Sequence, residues 1–176
     1  MGSPALEAWL LAFNEATGIR ALMLGTSWAW PAMEVLHYTG LTLLIGTIGI
    51  VDLRVLGWTK ALPLQTLHRL VPFGVAGFSL NLLTGIMFIT SFPDQYVYNP
   101  AVQTKFALMF VAGVNMLLFY RLAWHELRTL PPGAPAPLRA RVFTLISLLA
   151  WLGVIACGRL ITFFRPPNYW CFWCGA

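Results

Sequence analysis

Residues 70–93 read LVPFGVAGFSLNLLTGIMFITSFP, an apolar run without a single charged side chain. Three further uncharged stretches occur at 35–51, 106–120 and 142–158. A helix needs about 20 mainly apolar residues to cross the hydrocarbon core of a bilayer. Each stretch reaches that length once its ends extend toward the interface, so the sequence predicts an all-α membrane protein with four transmembrane helices.

The overall composition supports a membrane location. Of the 176 residues, 59% are hydrophobic and only 10% are charged, with a mean hydropathy of +0.73. A soluble domain carries about 25% charged residues, so this chain lacks the charge that a water-exposed surface requires. The composition excludes a soluble enzyme, a nucleic-acid-binding protein and a secreted disulfide-rich scaffold.

The chain, 1–176, is predicted to be one integral-membrane domain, an up-down four-helix bundle. Pro31 and Pro63 suit the first turn of a helix, and the segment PPGAPAP that begins at Pro131 cannot be crossed by one. The predicted parts are an N-terminal segment at 1–27, spans at about 28–53, 63–92, 102–130 and 141–164, and a tail at 165–176.

The N-terminal segment contains a short amphipathic pattern. Leu6, Trp9, Leu10 and Phe13 follow the spacing i, i+3, i+4, i+7, which predicts a helix with one apolar face. Glu7 interrupts the apolar run and no basic residues precede it, so a cleaved signal peptide is not expected. The helix can lie in the membrane interface or pack against a partner subunit, and the pattern fits both.

The basic residues are distributed unevenly between the two sides of the predicted bundle. Seven lie on one side and four on the other. Because basic loops are retained in the cytoplasm, both termini are predicted to be periplasmic in a bacterial inner membrane. The seven are Arg54, Lys60, Arg69, Arg121, Arg128, Arg139 and Arg141; the four are Arg20, Lys105, Arg159 and Arg165.

Several polar residues fall at a similar depth in the predicted spans, and such residues are usually functional. His37 lies roughly 13 Å from the outer end of the first span at 1.5 Å rise per residue, with Glu34 one turn above it. These residues predict a polar pocket in the outer half of the bundle, where His37 can ligate a haem or metal, hydrogen-bond a quinone, or be satisfied within the core. The predicted pocket residues are Glu34, His37, Asn81, Asn115 and Arg159.

A second pair of histidines suggests a haem site. His68 and His125 lie near the same membrane edge on consecutive spans. A bis-histidine b-type haem takes one imidazole on each face of the iron, and Arg69 or Arg121 can meet its propionates. The alternative is that both histidines simply lie among basic interfacial side chains.

The chain contains three cysteines, and two of them lie close together in the sequence. Cys171 and Cys174 form a CxxC that is predicted to lie in an oxidising compartment, where a disulfide is favoured. Attachment of haem c requires CxxCH, and Gly175 stands in place of that histidine. Disulfide oxidants also need a second cysteine pair, and Cys157 is the only other thiol.

Glycines recur in the first two spans. Small residues let transmembrane helices approach closely, although they can also make room for a flat cofactor. Close packing is the preferred interpretation. The glycines are Gly40, Gly46 and Gly49 in the first span, and Gly74, Gly77 and Gly85 in the second.

Short motifs carry a resemblance to known membrane proteins. The motif ExxHxxG at 34–40, DLRVLG at 52–57 and LHRLVP at 67–72 resemble an uncharacterised bacterial four-helix membrane family over about residues 30–130. The resemblance implies an inner-membrane bundle but no particular activity. More loosely, the chain resembles small b-type membrane cytochromes. It has only three histidines, so at most one bis-histidine haem is possible.

These observations predict a membrane-embedded electron-transfer or quinone-facing subunit that binds one b-type haem. His68 and His125 are the first-choice ligands, and His37 with Glu34 forms a second polar site. The alternative is a cofactor-free accessory subunit of a larger bacterial membrane complex. Either protein is expected to contact lipid and other membrane or periplasmic subunits, and not nucleic acid.

Overall fold

The computed structural model describes residues 4–58, 62–131 and 133–164. The regular secondary structure of these residues is helical throughout. The helices are α1 (Pro4–Thr17), α2 (Ile19–Gly25), α3 (Ala29–Leu56), α4 (Leu64–His68), α5 (Val71–Ser91), α6 (Pro93–Tyr96), α7 (Pro100–Leu122), α8 (Trp124–Leu127) and α9 (Leu138–Leu160), followed by a 3-10 turn at Ile161–Phe164.

The predicted all-α, four-transmembrane-helix bundle is confirmed. Four helical segments are long and apolar enough to cross a bilayer: Ala29–Leu56, Leu64–Ser91, Pro100–Leu122 and Leu138–Phe164. The third helix ends at Leu122 rather than near Leu130, since the backbone leaves helical geometry at Ala123. The segment that follows remains packed on the bundle, since Ala123 and Leu127 are buried in an apolar cluster with Val55 and Ala140.

Large apolar side chains cover the outside of the bundle. Phe110 is 73% exposed and Val35 is 65% exposed, and many leucines of the spans are similar. A soluble monomer rarely exposes apolar surface on this scale. The lipid bilayer is therefore the medium that covers these faces.

The bundle consists of two helix pairs. Helix α3 packs along α5, α7 packs along α9, and the pairs meet mainly through α3 and α9. A Cβ atom on Gly40 would lie 2.7 Å from the Gly77 carbonyl oxygen, and one on Gly77 would lie 2.6 Å from that of Gly40. The close-packing interpretation is thus confirmed for this crossing, whereas Gly46 and Gly49 have no neighbour within 4 Å of such an atom.

The N-terminal helices fold back onto the bundle. Gly18 separates α1 from α2 with a left-handed φ of 68°, a conformation that favours glycine. The buried Asn14 side chain donates to the Thr90 carbonyl, and the Tyr98 hydroxyl donates to Glu7 over 2.8 Å. Helix α1 therefore packs against its own bundle, while Leu6 and Trp9 remain exposed for contact with lipid or another chain.

Candidate functional site

A cavity of about 420 Å³ lies between the four long helices, near the end of the bundle that carries α1 and α2. We call it the terminal cavity. Its volume falls in the range of about 300–1,000 Å³ that is usual for small-molecule sites. Most of its wall is apolar or aromatic. The chemically distinctive lining residues are Trp30, Glu34, His37, Tyr38, Asn81, Phe88, Tyr96, Lys105, Phe106, Met109 and Arg159.

The terminal cavity brings together most of the polar pocket that the sequence predicts. Glu34, His37, Asn81 and Arg159 all line it, although they come from three different helices. The fifth predicted member, Asn115, does not line this cavity. The terminal cavity takes its α7 lining from Val102 to Met109, and Asn115 lies six residues further along the helix, in the wall of a second cavity.

The hydrogen bonds of His37 indicate which of its nitrogens is free. His37 Nδ1 lies 2.8 Å from Thr84 Oγ1, and that hydroxyl already donates to the Leu80 carbonyl over 2.8 Å. A hydroxyl has one proton to donate, so in the tautomer that keeps this Thr84 bond, His37 Nδ1–H donates to Thr84 Oγ1. In a neutral imidazole this leaves His37 Nε2 as an acceptor, able to bind a hydroxyl proton or a metal.

The Asn81 amide nitrogen bonds to the backbone of the helix that carries His37. Its Nδ2 donates over 2.9 Å to the backbone carbonyl of His37. This bond joins α3 to α5 beside the close approach of Gly40 and Gly77, and it fixes the backbone that carries His37. Asn81 is therefore a positioning residue for the imidazole.

An aromatic wall borders the acidic part of the cavity. Trp30 Nε1 donates to Glu34 Oε1 over 3.0 Å, which orients both side chains. The Trp30 ring packs on Phe88 at 4.9 Å and on Phe92 at 5.6 Å between centroids. Such rings offer flat apolar surface to a ligand that is itself planar.

Lys105 is a cavity residue that the sequence reasoning missed. It lies on α7, little more than one turn after Pro100, and its side chain is half-buried against the terminal cavity. The cavity thus combines an ammonium, a guanidinium, a carboxylate and an imidazole. A charged residue within an apolar span could have identified Lys105. The predicted third span begins at Val102, however, and this boundary places Lys105 at the edge of the membrane.

A second cavity, of about 200 Å³, lies deeper in the bundle, and we call it the central cavity. Asp52, Asn115, Tyr120, Thr144 and Ser147 provide its main polar lining. Asn115 Nδ2 donates to the Phe143 carbonyl over 2.9 Å, so this amide joins α7 to α9. Met109 lines both cavities and therefore lies where they adjoin.

The predicted haem ligands occupy the opposite end of the bundle. His68 Nε2 lies 2.9 Å from the Tyr120 hydroxyl, and the His68 ring stacks on Trp124 with 4.0 Å between centroids. His125 is exposed on α8. Iron bound at His68 Nε2 would replace this contact with Tyr120, and the bis-histidine haem stays a prediction.

The other described candidate residues, Arg69, Arg121 and Cys157, do not line either cavity. Arg69 and Arg121 are exposed at the same end as His125. Cys157 is buried with a free thiol, and the predicted disulfide of Cys171 and Cys174 lies outside the described residues. Within 4–58, 62–131 and 133–164, no group of three or more histidine, cysteine or acidic side chains is placed to hold a metal ion.

No protein family, curated protein or solved structure matches this chain.

Proposed function

We propose that this protein is a quinone-facing subunit of a bacterial electron-transfer complex in the inner membrane, and that the terminal cavity binds the quinone headgroup. One observation carries the proposal. A cavity inside a transmembrane bundle joins aromatic walls to His37, Glu34, Lys105 and Arg159. Ionisable groups are costly in a membrane and are usually retained there for function.

The lining suits both redox states of a quinone. Its carbonyl oxygens accept hydrogen bonds, which the Lys105 ammonium and the Arg159 guanidinium can donate. The hydroxyl groups of the reduced quinol donate, and His37 Nε2 and the Glu34 carboxylate can accept. Reduction adds two electrons and two protons to the quinone, and we assign the electrons to a redox cofactor in a partner subunit.

The shape of the terminal cavity also suits a lipid-soluble ligand. Glu34 and Tyr38 line it and are exposed, as is Phe106 on α7. The cavity therefore reaches the outer surface of the bundle, where an isoprenoid tail would extend into lipid. The ring would stack against the Trp30 and Phe88 side of the wall.

The haem prediction is tested separately. A dithionite-reduced minus oxidised visible spectrum of the purified protein would show a sharp α-band if one b-type haem is bound. Loss of that band in His68→Ala and His125→Ala would assign the ligands to the basic end. Loss in His37→Ala alone would place the haem in the terminal cavity, where Met109 offers a thioether as the second ligand.

Equilibrium binding of a tritiated short-chain benzoquinone to the detergent-solubilised protein tests the quinone site. We expect saturable binding at one site, weakened in Lys105→Met and in His37→Ala. Arg139→Met is the matched control, because Arg139 lies at the far end of the bundle and donates to the Leu122 carbonyl. The control should bind as the unmodified protein does.

The same titration distinguishes the quinone site from the alternative function. An absence of saturable binding, together with a flat redox spectrum, would contradict the proposal and favour a cofactor-free accessory subunit. In such a subunit the polar side chains would serve only as hydrogen bonds between helices. The exposed Leu6 and Trp9 of α1 would then be candidate contacts with a partner subunit.

A further inference from the structure

The central cavity holds a carboxyl group that quinone binding does not use. Asp52 lies on α3 and is only 5% exposed, and its Oδ2 has no hydrogen-bond partner. Ser147 of α9 lines the same cavity. The group is thus buried, incompletely satisfied and directed into a space of about 200 Å³.

Among the residues that the structure describes, no basic side chain donates a hydrogen bond to this oxygen. Arg54, on the same helix, donates its Nε to the Leu62 carbonyl over 2.7 Å. Arg141 of α9 has a buried Nε without a hydrogen-bond partner. Helix α5 contributes apolar side chains and the backbone of Gly74 to this cavity, and α7 contributes the uncharged polar groups of Asn115 and Tyr120.

An unpaired carboxylate in such surroundings is strongly disfavoured. Removing an ionised carboxyl from water costs several kcal/mol even after relaxation, and the group becomes neutral when it can. The Thr144 hydroxyl donates to the Ala140 and Arg141 carbonyls, so it does not donate to the Asp52 carboxyl. A proton on Asp52 Oδ2 removes the charge and makes this oxygen an O–H donor.

We propose that the central cavity is a proton-binding site in which Asp52 holds the proton. The site adjoins the terminal cavity at Met109, which separates the two. Proton binding at Asp52 does not depend on whether the terminal cavity binds a quinone.

Modification by dicyclohexylcarbodiimide tests the proposal. The reagent enters the membrane and adds across a protonated carboxyl; rearrangement then leaves a stable N-acylurea that retains all atoms of both molecules. We expect the full-length protein in lipid vesicles to be modified at Asp52, as located by peptide mass spectrometry. Asp52→Asn should lose this adduct, and Glu126→Gln, which changes an exposed carboxyl on α8, should retain it.

An infrared measurement keeps the proposal falsifiable if Asp52→Asn does not fold. The C=O stretch of a protonated carboxyl should be present in the unmodified protein and should shift in Ser147→Ala, which removes a hydroxyl from the lining of the same cavity. Absence of the adduct and of this band would overturn the proposal. Protection from the carbodiimide by NaCl, but not by choline chloride at the same pH, would overturn it in favour of a sodium site.

Discussion

The two cavities lie in the same bundle but differ in the number and kind of their ionisable side chains. The terminal cavity has about twice the volume and carries two cations, a carboxylate and an imidazole. The central cavity is smaller, and Asp52 is its single ionisable carboxyl group beside hydroxyls and one amide. A site with several charged groups and an open side suits a ligand, whereas one isolated carboxyl suits a proton.

The helix contacts explain why the cavities differ. At the terminal end, the Gly40–Gly77 crossing brings α3 and α5 together and the Asn81 bond fixes His37 beside it. Around Asp52, the polar contacts come instead from α7 and α9. Both cavities have α3 and α5 in their walls, so they differ in their polar groups rather than in their helices, and substitutions of those polar groups should separate them.

The largest expected effect is the loss of the α3–α5 crossing in Gly77→Ala. The added Cβ atom would lie 2.6 Å from the Gly40 carbonyl oxygen, a backbone atom that cannot move aside. Overpacking of this kind costs about 1–3 kcal/mol. We expect a lower unfolding temperature in detergent and loss of quinone binding.

Gly113→Ala is the matched control for that substitution. Gly113 lines the central cavity, and a Cβ atom there meets nothing within 4 Å. Its unfolding temperature should be equal to or above that of the unmodified protein, since alanine favours helix. Equal unfolding temperatures for Gly77→Ala and Gly113→Ala would refute the role assigned to the crossing.

The next largest effect is expected for Lys105→Met, which removes a charged donor while retaining an unbranched side chain. A hydrogen bond to a charged group contributes about 1.5–3 kcal/mol, so quinone affinity should fall by about 10- to 100-fold. Affinity is measured by titration with the tritiated benzoquinone. Unchanged affinity in Lys105→Met would remove Lys105 from the binding site.

A smaller effect is expected when the interhelical amides are replaced. Asn81→Leu and Asn115→Leu each lose one bond to a backbone carbonyl, and such bonds contribute about 0.6 kcal/mol on average in membranes and at most about 1.7. Both should lower the unfolding temperature slightly. Only Asn81→Leu should also weaken quinone binding, because Asn81 holds the backbone of His37; equal binding losses would contradict separate roles for the two cavities.

The smallest effect on quinone affinity is expected for Asp52→Asn. This substitution removes the carboxyl of the central cavity and leaves the terminal lining intact. The benzoquinone titration should superimpose on that of the unmodified protein, although carbodiimide modification is lost. A large loss of affinity would mean that the two cavities act as a single site.

The sequence predicts the fold well because lipid imposes a simple rule. Uncharged runs of sufficient length must be helices that cross the bilayer, and all four were found this way. Pro31 and Pro63 marked the starts of the first and second spans. The helix ends at Leu122 and Gly18 were harder to predict, since they depend on the backbone turning at Ala123 and on a left-handed glycine.

The site is only partly visible in the sequence. Depth along each helix placed Glu34, His37 and Arg159 together, because residue spacing gives depth directly. Asn115 was predicted at the level of His37, but it lies deeper along α7 than the residues that line the terminal cavity. Rotation about each helix axis is set by packing, so the sequence could not show that His68 faces Tyr120.

Photo-crosslinking with an azido-benzoquinone, followed by peptide mapping, tests the central claim most directly. We expect crosslinks in the segments that line the terminal cavity, around Trp30–Tyr38 and Val102–Met109, and competition by excess unlabelled quinone. The Arg139→Met control should give the same map. Crosslinks confined to the lipid-facing surface, or unaffected by competitor, would contradict a quinone site in this cavity.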